Sequence, residues 1–296
     1  MRVFLVHNRS SGDSTHGTEE LKDLLASAGH TVIVDVPAGS AADADVVVVA
    51  GGDGTVAEVA QSLAQRQTPI ALLPTGTANN IADWLGLKGL SHRGLVDGWK
   101  TGKIQPFDVG RARGPWGTAQ FFESFGVGLL SRAMQEIDEG PAGYVNSLDD
   151  RDSRIHAARD VLSRLASDSE PIRCQVSLDD HVLDDEYVLA EVLNFGGAGP
   201  NLRFSSHADA SDGLLDVYLL PPSEREHFVG DLRRDRANAG PHLVTAGAVH
   251  RARHVRVTCE TSVVHLDDQI WSIRDAAPLS VEVWVNPGEL HFLVPG

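Results

Sequence analysis

Residues 45–55 read Asp-Val-Val-Val-Val-Ala-Gly-Gly-Asp-Gly-Thr. A continuous β-branched run with no polar alternation has no face to offer water. It predicts a central parallel strand buried on both sides. The glycine-dense turn that follows opens a helix predicted from about Val56 to Gln65. The flanking segments repeat the pattern. Residues 3–6 form a short apolar strand, and Asn8 to Ser14 is turn chemistry. Leu21, Leu24, Leu25 and Ala28 fall on one helical face ended by Gly29. Thr31 to Val36 and Ile70 to Leu73 read as further strands, the latter closed by Pro74. Strand–helix alternation with short links implies βαβ units and a parallel sheet.

The texture changes after about residue 104. Phe107 to Ala112 and Gln120 to Phe125 read as strands, and Ile155 to Ala166 as a helix. Val255, Val257 and Cys259 alternate with Arg256, Thr258 and Glu260, and Val281, Val283 and Val285 with Glu282, Trp284 and Asn286. Such period-2 runs predict an antiparallel sandwich or barrel. A length of 296 residues suits two domains. The boundary falls near 105–118, giving domains 1–107 and 108–287, with the last strand, about 288–296, returning to the first.

Composition narrows the function. With 25 Lys+Arg against 41 Asp+Glu, the net charge is −16. That opposes broad nucleic-acid binding and anchoring to an anionic membrane by a general basic field. Arg251, Arg253 and Arg256 form the one local basic run without acids. Cys174 and Cys259 are too few for a disulfide framework. The opening MRVFLVHNRS is not a signal peptide, and no apolar run nears the ~20 residues of a membrane span, so a cytoplasmic protein is expected. His250 and His254, at i and i+4 in a strand-like stretch, read as structural or solvated. No G-x-S-x-G elbow occurs.

Three polar, small-residue loops follow three successive predicted strands: Asn8–Gly12, Gly51–Thr55 and Pro74–Asn80. Glycines let backbone N–H groups approach phosphate, and a helix N-terminus adds partial positive charge. Thr55 can cap that helix or meet a phosphate oxygen. Residues 52–57 also fit a loose G-x-G-x-x-A dinucleotide pattern. That reading wants an acid some 20 residues on, yet Val59 to Ala82 contains none. An acid inside the loop, Asp53, would also repel a pyrophosphate.

GGDGT with Glu58 three residues on, followed by PTGTANN-IA, resembles the catalytic domain of the diacylglycerol kinase family. It is most similar to the soluble bacterial lipid kinases, relatives of sphingosine and ceramide kinases. Asn8 to Gly12 resembles the family's N-P-x-[SA]-G loop, with Arg9 in the proline position. Phe125-Gly126-Val127-Gly128 resembles its glycine pair, and Asp209 to Asp216 its D-x-x-D-G-x-[LF]-[DE] segment. NAD kinases share GGDGT without the second loop at this distance.

The resemblance implies a phosphofructokinase-like α/β domain followed by a β-rich sandwich domain, with MgATP and acceptor meeting in the cleft between them. ATP would lie over Asn8, Ser11, Gly51, Gly52, Asp53, Gly54, Thr55, Glu58, Gly76, Thr77 and Asn79. The acceptor would be a lipid hydroxyl of diacylglycerol, phosphatidylglycerol or sphingoid type, bound by domain 108–287 and reached by transient membrane contact. A homodimer is compatible with it. Asp209, Asp212 and the carbonyl of Leu214 would hold a structural Mg²⁺, with Asp108 among the acids linking it to the active site; Asn80 stands where the family often has Asp. Asp212-Gly213 as a plain hairpin turn is the alternative.

The family's base is the Glu of a D-G-E motif, and the matching segment here is Asp267-Asp268-Gln269. An amide cannot take a proton from a hydroxyl. Asp268 is therefore expected to substitute in part for Gln269, with Asp53 as a second candidate base. Alternatives are a kinase of a soluble polyol, or a degenerate nucleotide- or lipid-binding protein.

Overall fold

The computed structural model describes residues 1–9, 17–33, 44–63, 67–234, 241–273 and 278–296. The chain divides into two units, Met1–Phe107 with Gly288–Gly296, and Asp108–Pro287.

The first unit runs β1 (Arg2–His7), α1 (Thr18–Ser27), β2 (Thr31–Ile33), β3 (Val46–Gly51), α2 (Asp53–Leu63), β4 (Ile70–Pro74), α3 (Asn80–Trp84) and α4 (His92–Gly98). β1 pairs in parallel with β2 and β3, and β3 with β4. The C-terminal end of the last strand, β19 (Leu279–Val294), adds in parallel to β4, with Phe292 opposite Ile70. All six residues of β3 are buried, as a strand covered on both faces requires. α2 buries Val56, Val59, Ala60 and Leu63. It begins at Asp53, three residues earlier than the apolar pattern indicates, because an Asp suits the positive end of a helix. Trp84, Phe107 and Phe292 stack edge to face, with centroids 5.3 Å apart at each contact.

The second unit begins within β5 (Lys103–Gly114), followed by β6 (Gly117–Phe121), β7 (Ser124–Gly128), α5 (Leu129–Glu139) and α6 (Arg151–Asp168). Next come β8 (Ile172–Leu178), β9 (His181–Tyr187), β10 (Leu189–Leu193), β11 (Gly197–Ala198), β12 (Leu202–Arg203), β13 (Leu215–Leu220) and α7 (Arg225–Arg233). The unit ends with β14 (His242–Leu243), β15 (Ala248–Ala252), β16 (His254–Cys259), β17 (Val263–Leu266), β18 (Gln269–Ser272) and the first part of β19. One sheet has the order β15-β13-β10-β7-β17-β18. A second contains β19-β16-β8-β9, with the β5–β6 hairpin also on β19, and a small third sheet has the order β11-β12-β14.

Val176, Val257 and Val281 of one sheet pack with Phe125, Val192, Val217 and Val264 of the other. The period-2 runs thus bury their apolar face in a sandwich. The six-stranded sheet has a second covered face: Leu189, Leu193, Tyr218 and Leu220 pack with Leu130, Val161, Leu162, Phe228 and Leu232 of α5, α6 and α7. Sequence periodicity shows α6 but not this helical layer. α6 starts at Arg151, where Asp150 accepts the Ser153 N–H at 2.8 Å. Gln120 to Phe125 is two strands rather than one. The break falls at Phe122-Glu123, whose N–H groups are taken by a distant carboxylate.

One row of that covered face is polar. Gly126 stands opposite both Glu191 and His265, and its missing side chain lets those two meet. Glu191 Oε2 lies 3.3 Å from His265 Nε2, both side chains being buried. His265 Nδ1 lies 2.9 Å from Ser131 Oγ, whose hydroxyl donates to the Gly126 carbonyl. With that hydroxyl proton committed, Nδ1 is itself the donor to Ser131. A Cβ on Gly126 would overlap the Glu191 carboxylate. Gly126→Ala is therefore expected to destabilise the protein by ~1–3 kcal/mol, read as a lower urea midpoint at unchanged slope. A loss below ~0.5 kcal/mol would show that Glu191 has room to move.

Candidate functional site

The parallel sheet brings three loops to one edge. His7 is opposite Ala50, and Gly51 opposite Pro74. The Asn8 N–H donates to the Ala50 carbonyl and the Thr75 N–H to the Gly51 carbonyl, each at 3.0 Å. The loops are then tied sideways. Asn8 Nδ2 donates to Thr55 Oγ1 at 2.9 Å. Gly52 and Gly76 lie back to back: a Cβ on Gly52 would sit 3.0 Å from the Cα of Gly76, and one on Gly76 would overlap the Cα of Gly52. A Cβ on Gly51 would lie 2.6 Å from that of Thr55. The glycines are thus required by close approach of backbone to backbone.

Asn79 sits in the left-handed region at φ 55°. Its side chain accepts from the Gly76 N–H at 3.0 Å and donates to the Gly76 carbonyl at 2.7 Å. Asp53 crosses from the second loop to the third. Its Oδ2 accepts the Asn80 N–H at 2.9 Å and its Oδ1 the Ile81 N–H at 3.0 Å. Both carboxylate oxygens therefore serve the start of α3, which is a brace. Thr55 is buried, Thr77 half-buried and Glu58 exposed on α2. Gly54 lies in the first turn of α2. Ser11 lies outside the described residues. Backbone without side chains, at the N-terminal end of α2, is the surface an oxyanion such as phosphate needs.

Comparison with known proteins finds matches over both parts of the chain. Residues 2–112 match the diacylglycerol kinase catalytic domain. Residues 141–294, more than half of the chain, match the YegS C-terminal NAD kinase beta sandwich-like domain. The chain belongs to the diacylglycerol kinase family. A protein named diacylglycerol kinase from Mycobacterium tuberculosis is 25% identical over 292 residues, covering 95% of this chain and 86% of the relative. The Bacillus subtilis diacylglycerol kinase is 22% identical over 187 residues, covering 62% and 58%. A solved structure of a candidate diacylglycerol kinase from Bacillus anthracis superposes with a TM-score of 0.72 at 20% identity. It covers 99% of this chain and 97% of that one, and shows a shared fold.

The β17–β18 turn carries Asp267, Asp268 and Gln269, the segment that sequence resemblance singles out. Asp267, at φ 51°, turns its carboxylate back into the unit. It accepts the N–H groups of Phe122 (2.9 Å), Glu123 (2.7 Å) and Ser124 (3.2 Å). Burial pushes this carboxyl up to about 7, against those three donors. Asp268 and Gln269 are exposed at the turn. Protein packed around the Asp268 carboxyl, and then the charge of Asp138, raise it above the usual carboxylate range. Local pattern could not reveal that Asp267 ties down a turn 144 positions upstream.

The acidic segment of the second unit is organised by protein donors. Asp209 Oδ1 accepts from the Ser211 N–H at 3.0 Å and its hydroxyl at 2.7 Å. Asp212 Oδ1 accepts the Leu214 N–H at 2.9 Å, and its Oδ2 pairs with the guanidinium of Arg251. Buried Asp108 accepts the Gly213 N–H at 2.7 Å. Among the described residues, no three His, Cys, Asp or Glu side chains gather as a cation-binding group. The oxygens are hard donors of the kind Mg²⁺ takes. Even so, a segment whose outward carboxylate already carries a guanidinium does not fit a resident divalent ion.

The glycine contact generates a direct test. Gly76→Ala should force the second and third loops apart while the buried strands beneath stay in place. Far-UV circular dichroism is expected to be unchanged and ADP affinity by calorimetry to fall at least about tenfold, or 1.4 kcal/mol. Unchanged affinity in the folded variant would show that the contact does not shape a nucleotide site.

Proposed function

We propose that this chain is an ATP-dependent kinase that phosphorylates a hydroxyl of a lipid, of diacylglycerol, phosphatidylglycerol or sphingoid type. The observation that carries the reading is the side-chain-free contact of Gly52 and Gly76 just beyond the C-terminal ends of two paired parallel strands, in a chain matching the kinase family in both halves. Nucleotide, arriving with its own Mg²⁺ as substrate, is assigned to the loops of Asn8, Ser11, Gly51, Gly52, Gly54, Thr55, Glu58, Gly76, Thr77 and Asn79. Backbone N–H groups there suit the phosphates, and Asp53 holds the two glycine turns in register. The acceptor is assigned to the unit Asp108–Pro287.

Phosphoryl transfer depends mainly on positioning and charge neutralisation, and one base adds typically ~10²–10⁴-fold. Gln269 cannot serve, and the Asp267 carboxylate is committed to three N–H donors. Asp268 is exposed at the same turn, and its raised pKa brings it nearer the range useful to a base. It is assigned to accept the acceptor's proton. A second reading, nucleotide binding without turnover, is favoured by Gln269 and Asn80.

ATP consumption in mixed micelles containing diacylglycerol, phosphatidylglycerol or a sphingoid base tests the proposal. Turnover is expected with a lipid acceptor and not with a soluble polyol in detergent-free buffer. Asp268→Asn should lower kcat at least tenfold, and Gln269→Glu should restore or raise it. A base must be ionised, so activity should climb with pH. Because the carboxyl is raised, that climb should lie above the ~3.9 of an ordinary Asp. Retention of ADP binding with no turnover in any variant would establish the second reading.

A further inference from the structure

The acidic turn of the second unit carries several negative charges on a short stretch, and something positive must hold it closed. Asp216, on β13, is buried and stands directly opposite Arg251 of β15. Its Oδ1 accepts the Ser205 hydroxyl at 2.8 Å, and its Oδ2 lies 3.6 Å from Arg251 Nε. The other end of the same guanidinium pairs with Asp212 Oδ2 in the turn. Burial pushes the Asp216 carboxyl up, and the Ser205 hydroxyl and then the Arg251 charge pull it back.

Arg251 thus joins a strand carboxylate to a turn carboxylate four residues upstream. The remaining bonds complete the turn from inside: Gly213 N–H to Asp108, Leu214 N–H to Asp212, and Ser211 to Asp209. Gly213 stands at φ 73°, which lets its N–H face Asp108. A guanidinium presents several donors in a fixed plane, so it can bridge two carboxylates as a metal ion would. It would also compete for the same Asp212 oxygen with any dication, and repel it.

We infer that Arg251 is the built-in cation of the Asp209–Asp216 segment, standing in the place where the chain would otherwise need a divalent ion. The fold of this unit is then independent of Mg²⁺ and Ca²⁺, and the charge that organises the turn belongs to the sequence.

The test is thermal unfolding of the full chain without nucleotide, after dialysis against EDTA and with added Mg²⁺ or Ca²⁺. The wild type should melt at the same temperature in all three conditions. Arg251→Gln should melt about 2–6 °C lower in EDTA, with Mg²⁺ or Ca²⁺ recovering at least half of that loss. Arg251→Lys, keeping the charge without the fork, should fall between the two. Wild-type protein that loses stability in EDTA and regains it with Mg²⁺ would overturn the inference without any variant. So would an Arg251→Gln protein that melts like wild type in EDTA, or one that melts lower and is not rescued by either ion.

Discussion

Gly52 and Gly76 touch without side chains, and the loops on either side owe their shape to that contact. β3 and β4 end in register beneath them, so the sheet fixes where the turns start but not how close they come. Asp53 supplies the closing force by reaching from the first turn of α2 to the first N–H groups of α3. The acid that counts against a phosphate loop in the bare sequence has its oxygens turned to backbone donors. Its charge is thereby partly balanced within the protein. A loop can carry an Asp and still present an electropositive backbone.

The same device recurs in the second unit. Asp267 gathers three N–H groups at the β6–β7 turn, and Asp108 takes one from the acidic segment. Buried Asp231, on α7, accepts the Thr245 and Ala246 N–H groups at 2.6 and 3.0 Å. Asp179, itself at φ 49°, accepts those of Arg253 and His254. Each ties a turn or loop to a segment distant in sequence, at the end of a paired strand for Asp179 and Asp267 and outside any ladder for Asp108 and Asp231. A carboxylate can hold two or three donors at once, each bond to a charged acceptor being worth about 1.5–3 kcal/mol. Loops that would otherwise leave buried N–H groups unsatisfied are closed this way.

That division explains what the sequence makes legible. Strands β1, β3 and β4, helix α1 and the alternating strands of the sandwich follow from local apolar periodicity. The glycine loops stand out because their residue types are rare in combination. What periodicity misses depends on long-range partners. The break between β6 and β7 needs Asp267, more than 140 positions away. The covering of Glu191 and His265 by α5 needs a helix whose apolar residues form no long run. Arg251 reads as one member of a local basic run until β13 and β15 pair and place it opposite Asp216. Nothing local marks which charge in such a run will meet a buried acid.

The β17–β18 turn shows how structural and chemical demands on adjacent carboxylates separate. Asp267 and Asp268 differ by one position, yet one carboxylate is turned into the unit onto three N–H donors and the other belongs to an exposed residue of the turn. The left-handed backbone at Asp267 produces the reversal. Removing the inner acid would release three backbone donors, so its loss is a folding event before it is a chemical one. Removing the outer acid touches no such network. In a chain where the residue after the pair is an amide, the two demands fall on different side chains. The acid with the fewest structural duties is then the one proposed to exchange a proton with an acceptor. On the proposed reading, chemistry moves by one residue along the turn while the scaffold that presents it stays in place.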